Sequence, residues 1–204
     1  MLVFWQERLA ILATPKTAST AIESALGALA SVVIQRPKVL KHTDAARFES
    51  HWQPYLQQSS GARFEVAALM REPLAWLGSW YRDGQREDVE PEKSTRGLSF
   101  EDFALRCCAE TDRPAYANVG SQSGFLGFGA EGTGRVDHLF RYEDLSDFVH
   151  FLEDRLDFEI LLPRLNVSPI GDTSLSAQTE ALVRKSWAGD FALYEGLGRP
   201  KTAP

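Results

Sequence analysis

Lys16, Ser19 and Thr20 share one short loop, Thr14-Pro15-Lys16-Thr17-Ala18-Ser19-Thr20. It lies between an apolar run, LAILA, and a stretch with helical character, AIESALGALA. One ammonium and two hydroxyls at a first helical turn make an anion-binding set. The loop's N–H groups and the positive end of the helix dipole converge on the same spot. The ligand expected there carries a phosphate. The spaced glycines and Gly-Lys pair of a Walker A loop are missing. Pro15 fixes its own φ and stiffens the exit from the strand. A plain hydroxyl-capped helix with a solvated lysine is the other reading of these residues.

A second set follows in the same order. Met70-Arg71-Glu72-Pro73 ends an apolar run, FEVAALM, and Ser79 comes about two helical turns later within LGSWYRD. A guanidinium at a strand end and a hydroxyl on the next helix can hold a second phosphate. A surface pair of Arg71 with Glu72 or Asp83 is the alternative.

Acceptor chemistry needs a base. His42, in VLKHTDA, follows the second expected strand and so stands on the ligand edge of a sheet. An imidazole titrates near neutrality and takes a proton in one step. The same histidine can instead cap or pack at a helix start. Glu72 is a lesser candidate base. His51, His138 and His150 read as structural. Lys41 reads as a solvated charge, or as a group tuning His42 or meeting an anionic substrate. Gln122 and Ser123, in the Gly-rich GSQSGFLGF, offer polar contacts to a sugar or another polar acceptor. Trp76, Trp80 and Tyr81 recur at helical spacing and read as core. Arg141 and Tyr142 follow a strand and can reach a ligand, and Arg141 can equally pair with Asp144. No spacing of His, Cys or carboxylates resembles a metal site, so no metal is expected.

These groups need a frame. Residues 8–14 read as a buried strand, 19–30 as a helix with Ser19 or Thr20 near its N-cap, and 31–41 as a second strand bent at Pro37. Residues 43–57 look helical with Pro54 interrupting, 64–70 form a strand and 74–83 a helix. Residues 84–98 are a charged loop able to cover a site. A Ser99-capped helix spans 99–109, and 111–134 are irregular. Strand 136–141, helix 144–156 and a final helix over 176–187 complete the chain. Strands alternating with helices imply one α/β domain over 1–204, its parallel sheet flanked by helices. Ligands in such sheets sit at the carboxyl ends of strands.

The ordered pair of loops resembles the sulfotransferase superfamily that uses 3′-phosphoadenosine 5′-phosphosulfate (PAPS). LFRYEDL at 139–145, LNVS at 165–168 and DFALYEGLG at 190–198 are similar to later segments of that family. The likeness is nearest to its bacterial and Golgi-type carbohydrate branch. It implies a P-loop-like core and PAPS as co-substrate. It also implies metal-independent transfer to a hydroxyl or amine of a small or carbohydrate-like acceptor. By position, Lys16 matches the lysine at the 5′-phosphate and bridging oxygen. Pro15, Thr17, Ala18, Ser19 and Thr20 match the loop around the phosphosulfate, and Arg71 and Ser79 match the 3′-phosphate pair. Histidine or glutamate is often the base there, which makes His42 the candidate. Ala18 stands where many members have glycine. A kinase-like phosphotransferase using ATP, and a noncatalytic nucleotide-binding protein, are the alternatives on the same unit.

Composition narrows the partners. With 28 acidic and 22 basic residues the net charge is -6, against a general nucleic-acid or anionic-membrane binder. No run approaches the ~18 apolar residues of a membrane span. The start, MLVFWQERLA, lacks signal-peptide features. The adjacent Cys107 and Cys108 fit a reducing compartment and read as helix packing. A cytoplasmic protein is expected.

Overall fold

The computed structural model describes residues 1–128, 136–163 and 171–197. Five strands form one sheet: β1 (Leu2–Phe4), β2 (Leu9–Ile11), β3 (Val32–Val33), β4 (Glu65–Met70) and β5 (His138–Arg141). Their order across the sheet is β3-β1-β2-β4-β5. β2, β4 and β5 run parallel, in the register Ala10↔Val66 and Ala68↔Leu139. β1 is antiparallel to both β2 and β3. The expected all-parallel sheet is therefore corrected to a mixed one. The opening MLVF, outside every expected strand, forms a hairpin with β2. Arg8, with φ of 50°, closes its turn, and its N–H donates to the Trp5 carbonyl at 3.4 Å.

Helices cover both faces, and the period of two along the strands assigns each residue to one of them. On one face Val3, Ala10, Leu12, Val66, Ala68 and Met70 pack with Phe48, Leu56 and Leu126. On the other, Leu2, Phe4, Leu9, Ile11, Ala67 and Leu69 pack with Ile22 and Leu26 of α1 (Ser19–Leu26) and with Phe148 and Leu152 of α8 (Leu145–Leu156). The apolar residues of α8 fall at helical spacing, as the sequence suggests. Phe148 is fully buried, so truncating it to alanine costs about 3–5 kcal/mol.

A third cluster lies beyond the sheet. It joins α5 (Pro73–Gly84), α6 (Phe100–Cys107), α9 (Ala177–Ser186) and α10 (Ala188–Gly196) through Leu77, Tyr81, Phe103, Val183, Trp187 and Phe191. Ser99 caps α6 as expected, accepting from the Asp102 N–H at 3.0 Å. Cys107 is buried in this cluster and burial pushes its thiol up to about 12, which leaves it a packing residue. The single final helix is corrected to two, because the backbone turns at Trp187 between α9 and α10.

Three further expectations change. The second strand shrinks to Val32–Val33, and the residues after Pro37 form a short helix, α2 (Lys38–Lys41). Pro54 does not interrupt the 43–57 helix. After α3 (Ala45–Arg47) and one π turn (Phe48–Trp52), it sits at the second residue of α4 (Gln53–Ser60), and the helical backbone runs on through it. The 84–98 loop is pinned at its base: Thr95 Oγ1 donates to the Tyr81 carbonyl at 2.6 Å, and Tyr81 Oη donates to the Leu98 carbonyl at 2.7 Å. The LNVS segment lies outside the described residues, as does 129–135 of the irregular region.

Candidate functional site

The carboxyl ends of the three parallel strands deliver the residues of interest to one edge. β2 leads through Leu12 and Ala13 into the Lys16 loop, β4 delivers Arg71, and β5 delivers Tyr142. Parallel strands create such an edge because every crossover helix begins there.

The loop's backbone is shaped for an anion. Lys16 and Ala18 both take left-handed φ values, 66° and 59°, on either side of Thr17. Alternating hands turn successive N–H groups toward one side, the concave arrangement that cradles oxyanions. Among the described residues, no backbone or side-chain acceptor takes the N–H groups of residues 16 to 20. The N-cap of α1 is Ala18, not Ser19 or Thr20, and no side chain caps that end. Ser19 and Thr20 therefore stand in the first turn; among the described residues the Ser19 hydroxyl makes no hydrogen bond, and the Thr20 hydroxyl accepts from Lys41 Nζ at 3.5 Å. Thr17 points inward instead and locks the turn, donating from Oγ1 to the Thr14 carbonyl at 2.9 Å.

Two tryptophans of α5 brace this loop. Trp76 Nε1 donates to the Pro15 carbonyl at 3.0 Å. The ring of Trp80 lies 5.4 Å from Lys16 Nζ. Lys16 Nζ also pairs with Asp83 at 3.0 Å. Burial is the main influence on this lysine and lowers its pKa, with Asp83 working against it. The core reading of Trp76 holds, but it leaves out the tie to Pro15. Spacing gives no signal for the Asp83 partnership.

Arg71 joins the two motifs. Its Nη1 donates to the Lys16 carbonyl at 3.3 Å, and its guanidinium lies 4.7 Å from the Tyr142 ring centroid. It pairs with neither Glu72 nor Asp83, and its Nε is buried with no hydrogen-bond partner among the described residues. A buried unpaired N–H costs about 1–3 kcal/mol unless something else accepts from it. Gln122, at the start of α7 (Gln122–Phe125), holds the Arg71 peptide from both sides: its Oε1 accepts from the Arg71 N–H at 2.9 Å and its Nε2 donates to the Arg71 carbonyl at 2.8 Å. Buried Asp190 in turn accepts from the Gln122 and Ser123 N–H groups at 2.8 and 2.9 Å, and from Ser123 Oγ at 2.5 Å. Gln122 and Ser123 are therefore corrected from acceptor contacts to buried supports of Arg71.

Ser79 lies two turns into α5, buried, and its hydroxyl makes no hydrogen bond among the described residues. One turn on, Arg82 is half-buried and makes no hydrogen bond or ion pair there either. Burial first, and the positive charge of Arg71 second, lower its pKa. Spacing along the chain gives no signal for this uncompensated charge near Ser79.

His42 reaches the same edge by another route than expected. It follows α2, not a strand, and its ring meets the end of β2: Nδ1 lies 2.7 Å from the Ala13 carbonyl. A carbonyl only accepts, so Nδ1 carries the proton and Nε2 keeps its lone pair. Burial lowers the pKa of His42 further than this bond raises it. Lys41 is corrected from a solvated charge to a covered ion pair, its Nζ 2.8 Å from Glu23 Oε2 and 3.5 Å from Thr20 Oγ1.

Other candidates leave the site. Glu72 caps α5, accepting from the Ala75 N–H at 2.6 Å. Arg141 donates to the carbonyls of Tyr194 and Leu197 and does not pair with Asp144. His138 pairs with Glu65 at 2.8 Å. Among the described residues no cluster of three His, Cys, Asp or Glu is placed to hold a metal, and no helix is long and apolar enough to cross a membrane. No protein-family model matches the chain, and no curated protein or solved structure is significantly similar to it.

Proposed function

We propose that this chain is a PAPS-dependent sulfotransferase on a P-loop-like core, acting on a hydroxyl or amine of a small or carbohydrate-like acceptor. One observation carries the reading: Arg71 donates directly to the backbone of the Lys16 turn. The two phosphate motifs thus meet at one edge of the sheet, an arrangement suited to a nucleotide with phosphates at both ends of a ribose. The free N–H groups of residues 16 to 20 support it, as do the unpartnered Arg71 Nε and the unbonded Ser79 hydroxyl.

PAPS supplies a sulfuryl group already activated as a mixed anhydride with the 5′-phosphate. The chain's own residues supply position and charge. The 16–20 N–H groups, Ser19 and Thr20 hold the 5′ end, while Arg71 and Ser79 hold the 3′-phosphate. His42 Nε2 takes the proton of the acceptor as its oxygen or nitrogen bonds to sulfur. The sulfur–oxygen bond to the nucleotide breaks in line, and its electron pair stays on the bridging oxygen. Lys16 stabilises the charge growing there and leaves its pair with Asp83 to do so.

Calorimetric titration with adenosine 3′,5′-bisphosphate tests the proposal. Saturable micromolar binding is expected, and no heat at millimolar ligand would overturn it. Sulfate transfer to an acceptor panel, unaffected by EDTA, separates the enzyme from both a Mg²⁺-dependent kinase and a noncatalytic binder.

A further inference from the structure

Arg71 and Arg82 form an unusual pair of charges. The chain has more carboxylates than cations, yet among the described residues neither guanidinium pairs with one. The acidic groups at the end of α5 are taken: Asp83 pairs with Lys16 at 3.0 Å, and Asp88 with Arg86 at 2.9 Å. Burial first and the positive charge of Arg71 second lower the pKa of Arg82, and an anion bound between like charges relieves that repulsion.

Arg82 is also aimed. Helical side chains lean toward the N-terminus, so a residue covers the turn before its own Cα. Arg82 folds back over Gly78: a Cβ built at Gly78 would lie 3.2 Å from Arg82 Nη1, and 3.1 Å from Thr173 Cγ2. The missing side chain at Gly78 leaves the guanidinium room to fold back toward the start of α5, which Arg71 precedes, and Ser79, three residues before Arg82, is its neighbour on the helix surface. A Cβ at Gly171 would lie 3.7 Å from Arg82 Cγ, so Gly171 lies against the stem.

We propose that Arg82 is a second guanidinium of the 3′-phosphate site, gripping that phosphate with Arg71 and Ser79 and setting the preference for nucleotides phosphorylated at the 3′ position. The inference rests on the nucleotide reading above. A 3′-phosphate is a dianion over much of the neutral range, and two guanidinium forks match its charge and oxygen geometry better than one.

The test compares two ligands, adenosine 3′,5′-bisphosphate and adenosine 5′-monophosphate, on the wild type, Arg82→Gln and Arg82→Lys. Thermal unfolding confirms that each variant is folded. Arg82→Gln should weaken the bisphosphate about 10- to 100-fold and leave the monophosphate within about twofold. Arg82→Lys, which keeps the charge and loses the fork, should fall between and serves alone if the glutamine variant does not fold. Unchanged bisphosphate binding in the variants, or equal losses on both ligands, would overturn the role of Arg82 and leave the function standing. A wild type that binds neither nucleotide would overturn both.

Discussion

Lys16 Nζ and Asp83 Oδ1 are 3.0 Å apart, and the two are unequally covered: the lysine side chain is 18% exposed and the carboxylate 38%. The lysine that a phosphate would recruit is already held by a carboxylate at the rim. Ligand and Asp83 therefore compete for one ammonium.

Replacing Asp83 by asparagine removes the competitor without removing the shape. A half-exposed pair contributes modestly, so adenosine 3′,5′-bisphosphate should bind about two- to fivefold tighter to Asp83→Asn. Calorimetry reads this directly. Weaker binding would mean that Asp83 orients Lys16 for the ligand.

Lys16→Ala should lower sulfate transfer by about 10²–10³-fold, the usual loss when a group stabilising transition-state charge is removed. The far-ultraviolet circular dichroism and unfolding midpoint should change little, since the lysine lies at the edge of the core. Retained turnover would take Lys16 out of the leaving-group role.

His42 is pulled below the ordinary histidine value of 6.5 by burial. A base must be neutral to act, so turnover should stay flat through neutrality and fall only at a pH under 6.5. Stability has the same sign. Between the folded and unfolded pKa values the unfolded chain binds more protons, so the contribution is complete above about 6.5 and is lost as pH falls toward the folded value. His42→Gln should abolish the acid limb of the rate profile, lower turnover about 10²–10⁴-fold, and flatten that part of the stability curve. An unchanged acid limb would remove His42 as the base.

Ala18 carries a Cβ at φ 59°. The left-handed region costs a non-glycine residue about 1–2 kcal/mol, partly offset by the entropy that glycine adds to the unfolded chain. Ala18→Gly should raise stability in urea by about 0.5–1 kcal/mol, with bisphosphate affinity kept within about twofold. A stability loss would show that the turn needs the methyl group.

The sequence was legible where a local cause dominates. The apolar run before Arg71 is β4, the Ser99 cap starts α6, and the loop of residues 14 to 20 does join a strand to a helix. It was less legible where distant segments decide. Leu2–Phe4 becomes a strand because β2 and β3 offer it partners on both sides. Val39 and Leu40 resemble a strand by residue type, yet the backbone after Pro37 closes helically, with the His42 N–H donating to the Lys38 carbonyl at 2.9 Å. His42 arrives at the expected edge from α2. The partners of Lys16 and the isolation of Arg82 depend on which carboxylates the fold brings near, and spacing along the chain does not encode that.

The hold of Asp190 on α7, and of Gln122 on the Arg71 peptide, has a consequence for the order in which the protein is made. A nascent chain that has left the ribosome only as far as β5 already owns both phosphate loops and Gln122, but Asp190, the carboxylate that seats α7, is still being translated. The support of the Arg71 peptide is therefore complete only once α10 has emerged and docked.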